Sequence, residues 1–314
     1  MKGLELAKQY YEAYGKEMLQ EQFPQVMPFL AIGLAGSGSE CYGYDDATSR
    51  DHDFEPGFCI FLPGEDVVDR RTAFLLERAY AKLPKEFLGF TRSPLNPVGG
   101  TRHGVIRMED FFLEKTGSPD GELSAQQWFA VPEFGLLEAT NGSVFADPYG
   151  RFTAIRETLR YFPEDVRRKK LAGHLLLMGQ AGQYNYGRCI ARGETAAAQL
   201  AVFEFVQSTL HCIYSLNRAY MPYYKWSFRG LRALARLANL AEDLEYLISS
   251  GNTPPEAEQK AARIQRICEA VADELRSQAL TDRQGREMEI LAYAVNDTVA
   301  DPTVRNLHIL QGVS

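Results

Sequence analysis

Cysteine is scarce and badly placed for cross-linking. The five residues, Cys41, Cys59, Cys189, Cys212 and Cys268, are odd in number and widely spaced, with no Cys-x-x-Cys pair. That argues against a disulfide framework or a zinc knuckle and fits free thiols in a reducing cytoplasm. No apolar run is long enough to span a bilayer. Met1-Lys2-Gly3-Leu4-Glu5 lacks the apolar segment of a signal peptide. The expectation is a cytoplasmic protein with no membrane partner. Positive charge is not in excess: 34 Lys and Arg face 41 Asp and Glu, for a net charge of −7. This balance argues against a general electrostatic grip on nucleic acid. Of the five histidines, His52, His103, His174, His211 and His308, no two sit at ligand spacing on one helix, which argues against zinc. His174 lies in an apolar stretch and reads as a satisfied buried histidine. Gly-x-Ser-x-Gly and Gly-Lys-Ser/Thr are both missing, so serine-hydrolase and P-loop chemistry have no support. Internal repeats and low-complexity tracts are also lacking.

What is present is an ordinary globular composition, 45% hydrophobic and 24% charged over 314 residues, long enough for two domains. Residues 4–22 carry Leu4, Ala7, Tyr11, Tyr14 and Met18 on one helical face, ending before Pro24 and Pro28. Residues 29–35, 58–62 and 104–108 read as strands, and residues 65–83 as a helix. After Asp147-Pro148-Tyr149-Gly150 the pattern becomes almost wholly helical. Pro163 fits a helix start, residues 195–219 and 224–247 are long apolar-periodic stretches, and Gly251-Asn252-Thr253-Pro254-Pro255 breaks the chain before a helix over 256–277. The expected class is α+β: an N-terminal mixed sheet with flanking helices over 1–150, and a C-terminal all-α bundle over 151–314.

The chemistry-bearing segment begins at Gly36-Ser37-Gly38-Ser39 and ends at Asp51-His52-Asp53. Glycines after a buried strand let the backbone turn sharply and approach a ligand. Exposed N–H groups and serine hydroxyls there suit phosphate oxygens, and a following helix would add its dipole. In an extended segment Asp51 and Asp53 point to one face. Two converging carboxylates repel unless a cation lies between them. Mg²⁺, with Mn²⁺ as a substitute, is the natural partner beside phosphate oxygens. Separately, each part is common in loops and on surfaces; the specificity lies in the combination.

This segment resembles the signature of the DNA polymerase β-like nucleotidyltransferase superfamily: an apolar strand, Gly-Ser, about ten residues, and Asp-x-Asp leading into a second strand. Here eleven residues separate Ser39 from Asp51. Ser49 matches the serine common in the small antibiotic-modifying members. The chain resembles more closely a bacterial family of nucleotidyltransferase-like proteins, domain of unknown function 4037, over most of its length. That likeness is carried by the same segment, by Gln183-Tyr-Asn-Tyr-Gly-Arg-Cys189 and by Tyr223-Tyr-Lys-Trp-Ser-Phe-Arg229. The resemblance implies that Ser37 or Ser39 holds nucleotide phosphates and that Asp51 and Asp53 ligate Mg²⁺. It further implies transfer of a nucleoside monophosphate from a nucleoside triphosphate to a hydroxyl of a small molecule or protein. There are two departures. Phe54-Glu55-Pro56-Gly57 intervenes before the second strand, where Pro56 predicts a bulge or an edge. The third carboxylate of active members has no counterpart on 104–108; Glu109 and Asp110 follow it, at a natural helix start. A nucleotide-binding regulatory module without turnover is therefore the alternative.

In the helical half, Asn185, Arg188 and Arg192 share a helical face. Asn217, Tyr220, Tyr223, Tyr224, Lys225, Trp226 and Arg229 form a second cluster. Lys225 and Arg229, four apart, could reach one anion on the nucleotide. Asn185, Arg188, Tyr224 and Trp226 are candidates for the acceptor side, because the helical domain faces the cleft in related two-domain nucleotidyltransferases. The competing reading is an aromatic packing seam with snorkelling arginines. Glu138 and Glu204 are candidate general bases or ordinary helix glutamates.

Overall fold

A computed structural model describes residues 1–48, 54–92 and 102–313. The chain is α+β and divides into two compact units, Met1–Leu123 with Val131–Arg160, and Ser124–Ala130 with Tyr161–Ser314. Among the described residues no helix is long and apolar enough to cross a membrane, and all five cysteines are free.

The first unit opens with α1 (Gly3–Tyr10), a π-helical turn Tyr11–Gly15 and α2 (Lys16–Gln22), so the helix expected over 4–22 is interrupted by a wider turn. Four short strands build a mixed sheet: β1 (Ala31–Leu34), β2 (Cys59–Leu62), β5 (Gly104–Arg107) and β6 (Ser143–Ala146), in the order β5-β2-β1-β6. β1 runs antiparallel to β2 and β6, and β2 parallel to β5. The parallel pair needs a long crossover, and that connection contains α3 (Arg70–Ala81) and the small hairpin β3 (Glu86–Phe87) and β4 (Phe90–Thr91). Pro56 predicts a bulge or edge, but β2 is central and begins only at Cys59, beyond the proline. The missing proline N–H therefore costs no ladder bond.

Strand alternation sorts the core into two layers. Ile32, Ile60 and Leu62 pack with Tyr10, Leu19, Leu76 and Tyr80 from the first helices and α3. Phe61 points the other way, stacking at 4.1 Å on Phe152 of α7 (Arg151–Thr158) and meeting Phe111 of α4 (Met108–Thr116) edge-on at 5.1 Å. α6 (Glu133–Thr140) packs on α4 and leads into β6.

The second unit is all-helical: α5 (Ala125–Ala130), α8 (Glu164–Met178), a π-helical stretch Gly179–Tyr186, α9 (Gly187–Ala191), α10 (Thr195–Leu216), α11 (Tyr224–Leu231), α12 (Ala241–Ser249), α13 (Pro254–Ser277), α14 (Met288–Asp297) and α15 (Pro302–Arg305). Its core is one cluster running from Leu171 and Leu175 through Phe205 and Ile213 to Ile267 and Leu291. The π-stretch lies where Gly182 meets α10: a Cβ there would fall 2.3 Å from the Phe205 ring, so only glycine admits that approach. The helix expected over 224–247 is broken in two. The Asn217 side chain accepts from Arg236 N–H at 2.9 Å and donates to Arg236 C=O at 3.0 Å, and Leu237 turns left-handed with φ 60°. α13 starts as its sequence dictates, with Pro254 in the first turn and a Thr253–Glu256 capping box.

Three arginines converge on Glu164 at the start of α8: Arg167 at 2.7 Å, Arg168 at 2.8 Å and Arg218 at 2.9 Å. Burial alone would raise its carboxyl, but the donors from Arg167 and Arg168 and the charges of Arg167 and Arg218 outweigh it and hold it down to about 2. A carboxylate depressed on folding stabilises above its ordinary range, near 4.5, and loses that contribution as pH falls toward 2. Glu164→Gln is expected to cost about 1–2 kcal/mol at pH 7, allowing for solvent screening. The gap to wild type should close between pH 4.5 and 2 in urea titrations; a gap that does not narrow over that window would refute the assignment.

Candidate functional site

The glycine-serine segment leaves β1 directly. Gly36 and Gly38 have φ of 111° and 126°, a region that favours glycine. The turn is pinned by Asn141, which follows α6: its Oδ1 accepts from Gly36 N–H and its Nδ2 donates to Gly36 C=O, both at 2.9 Å. Arg156 of α7 donates to the C=O groups of Thr140 and Asn141, fixing that corner from behind. Residues 39–43 then continue as turns, so the helix dipole that a following helix would have supplied is not there. Ser37, Gly38 and Ser39 are half-buried, and among the described residues none accepts a hydrogen bond from their N–H groups. Successive unpaired N–H groups of this kind are donors that an anion can use where the backbone makes them converge.

A charged cluster stands beside it. Ser37 Oγ donates to Glu138 Oε2 at 2.7 Å and accepts from Lys115 Nζ at 3.0 Å. Lys115 also pairs with Glu138 at 2.9 Å and with Glu114 at 2.9 Å. Tyr42 OH donates to Glu138 Oε1 at 2.9 Å. Burial would lower the Lys115 ammonium, but its hydrogen bonds to Glu138 and Glu114 raise it above its ordinary range. Burial and then the Glu138 charge push the Tyr42 phenol up. With three donors on its two oxygens, Glu138 is a positioning group for Ser37, Lys115 and Tyr42. Glu204, the other candidate base, is exposed on α10.

Glu40 was not singled out by its sequence pattern, although it follows the turn immediately. It is only 8% exposed, and its Oε1 has no hydrogen-bond partner among the described residues. Its carboxylate lies against the turn, where a Cβ on Gly38 would fall 2.3 Å from Oε1. Burial raises its carboxyl, against a backbone hydrogen bond and the charges of His103 and Arg102. Glu109 and Asp110 sit in the first turn of α4; Glu109 faces Arg151 at 3.4 Å and Asp110 is exposed. Asp51 and Asp53 lie outside the described residues.

In the second unit, Lys225 and Arg229 on α11 both stand over Trp226, at 5.3 and 5.6 Å from its ring centroid. Tyr224, 72% exposed, touches Tyr223 with centroids 4.5 Å apart. Ser227, on the other face, is buried, and its C=O accepts from Tyr214 OH at 2.8 Å. Arg188 covers exposed Tyr184 at 4.7 Å. Asn185 is exposed within the π-stretch, so it departs from the α-helical spacing that would align it with Arg188 and Arg192. Gln183 and Tyr186 of the same segment are structural: Gln183 Oε1 accepts from Met288 N–H at 2.9 Å, and buried Tyr186 reaches Asn252 at 3.2 Å.

His174 departs from expectation. It is buried, but its Nδ1 has no hydrogen-bond partner among the described residues. Its ring stacks on that of His211 from α10. Spacing rules within one helix could not reveal a pair contributed by two.

No curated protein matches the chain. Residues 128–227 match the model of a family described as Domain of unknown function (DUF4037), a segment that takes in Glu138, Asn141, His174, His211 and the Gln183–Cys189 motif but not the glycine-serine turn.

Proposed function

We propose that the first unit binds a nucleoside triphosphate with Mg²⁺ and transfers its nucleoside monophosphate to a hydroxyl of a small molecule or protein. The observation that carries this reading is the turn after β1: three N–H groups without described acceptors, backed by a protonated Lys115 at 3.0 Å from Ser37. N–H groups and a lysine are complementary to phosphate oxygens. The sequence pattern adds Asp51 and Asp53, which would hold the metal and neutralise the charge that develops on the leaving pyrophosphate. The acceptor oxygen would form its bond to the α-phosphorus as the bond to the pyrophosphate oxygen breaks, and the hydroxyl proton would leave to a base. Ser37 is committed to Glu138 and Lys115, so Ser39 is the serine left to meet phosphate directly. Lys225, Arg229 and Trp226 supply a cationic aromatic surface suited to an anionic or planar ligand group.

A second reading, nucleotide binding without turnover, is favoured by Glu109, whose carboxylate faces Arg151 instead of standing free as a third metal ligand.

Lys115→Met is expected to weaken binding of ATP, GTP, CTP or UTP with Mg²⁺ by about 10–100-fold, the worth of one charged hydrogen bond. Calorimetry on the full chain reads this. Binding unchanged in Lys115→Met would remove the turn as the phosphate site under either reading.

A further inference from the structure

We propose that His174 and His211 form a chelating pair for a divalent transition-metal ion, with Zn²⁺ the best match. This site is separate from the one proposed for Mg²⁺ and nucleotide.

His174 on α8 and His211 on α10 come from two neighbouring helices of the second unit. Their rings are parallel within 2°, with centroids 4.5 Å apart, and their ligand nitrogens lie within 4.8 Å of one another. Zn–N bonds of about 2.0–2.1 Å at tetrahedral angles require nitrogens about 3.3 Å apart, so chelation requires one ring to rotate out of the parallel stack until both lone pairs meet at the ion. His174 is 6% exposed, and its Nδ1 finds no described partner. A histidine kept only for packing would be expected to satisfy that nitrogen, since an unpaired buried polar atom costs about 1–3 kcal/mol. Burial, then the neighbouring His211 and Lys170, push the His174 imidazolium well below its ordinary range. Lys170, one turn earlier on α8, is the nearby cation; its Nζ donates to Gly312 C=O at 2.6 Å and stands over the Phe162 ring at 5.4 Å. Imidazole nitrogens suit Zn²⁺, Ni²⁺ and Cu²⁺, whereas Mg²⁺ and Ca²⁺ take oxygen ligands. His211 is only half-buried, which leaves the ion a route in and positions for water or another donor.

The test uses the full-length chain carrying Asp51→Ala and Asp53→Ala, so that those carboxylates cannot contribute, stripped with chelator and titrated with Zn²⁺ and with Co²⁺. The expected result is one ion per chain, a Co²⁺ absorption band characteristic of nitrogen ligation, no competition from Mg²⁺ excess, and at least a tenfold loss of affinity in His174→Asn and in His211→Asn. If His174→Asn does not fold, as judged by circular dichroism, the half-buried His211→Asn carries the test. Absence of stoichiometric binding, or affinity unchanged in a folded histidine variant, would overturn the proposal. Neither outcome bears on nucleotide binding by the first unit.

Discussion

Asp51→Asn with Asp53→Asn is expected to lower Mg²⁺-dependent release of pyrophosphate from α-labelled nucleoside triphosphate by about a thousandfold or more. A metal that stabilises charge at phosphorus contributes several kcal/mol to the transition state, and about 4 kcal/mol is a factor of a thousand. Asparagine keeps the volume of aspartate but not its charge, so on the proposed reading the metal would lose its anionic ligands with little change in side-chain size. Stability is the internal control. On the proposed reading the two carboxylates would repel each other without metal, so removing them should leave the urea midpoint unchanged or raise it. Single-turnover label transfer, read beside that midpoint, separates chemistry from folding. Activity within tenfold of wild type would exclude these aspartates as the metal centre. Wild type that binds nucleotide through Lys115 but transfers no label would instead favour the regulatory reading.

Lys169→Met is expected to destabilise the helical unit by about 3–5 kcal/mol, the summed cost of acceptors left without their donor. Lys169 is 0% exposed. Its Nζ donates to Asn296 Oδ1 at 2.8 Å, to Arg305 C=O at 2.8 Å and to Leu307 C=O at 2.7 Å, tying α8 to α14 and to the chain after α15. Methionine fills the same length without a donor and takes the lysine donor from three half-buried acceptors, of which only Arg305 C=O keeps another donor, Asn296 Nδ2 at 3.4 Å; each one left unpaired is a desolvation penalty of about 1–3 kcal/mol where water cannot enter. For a unit of this size the melting temperature should fall by roughly 6–20 °C. Lys8, whose exposed side chain pairs with exposed Glu12 at 3.9 Å, provides the contrast: Lys8→Met should cost at most about 1 kcal/mol. A Lys169→Met variant with the same urea midpoint as wild type would show that the three bonds are not made in solution. Lys260, likewise fully buried and bonded to Gln199, Ser250 and Asn252, should behave as Lys169 does.

The sequence by itself determined what acts over a few residues. Pro254 with the Thr253–Glu256 box starts α13, Pro163 precedes α8, and the apolar runs place β1, β2 and β5 within two residues of their observed bounds. Caps, prolines and apolar periodicity work through bonds and packing within one or two turns, so they can be read from the chain directly. The glycines of the turn after β1 were legible for the same reason: a positive φ is a local requirement. Only the tertiary structure decided what joins distant segments. β6 is four residues with no strong strand signature, and it becomes a strand because β1 offers it an edge. Asn217 breaks the helix expected over 224–247 by gripping a segment nineteen residues on. Ser37 meets Lys115, Glu138 and Asn141 hold their places across the turn, and His174 meets His211 through separations that no periodicity encodes. A buried lysine or an unpaired imidazole looks like any other polar residue in a sequence. Its meaning comes from the acceptors, or the lack of them, that the packed fold places around it.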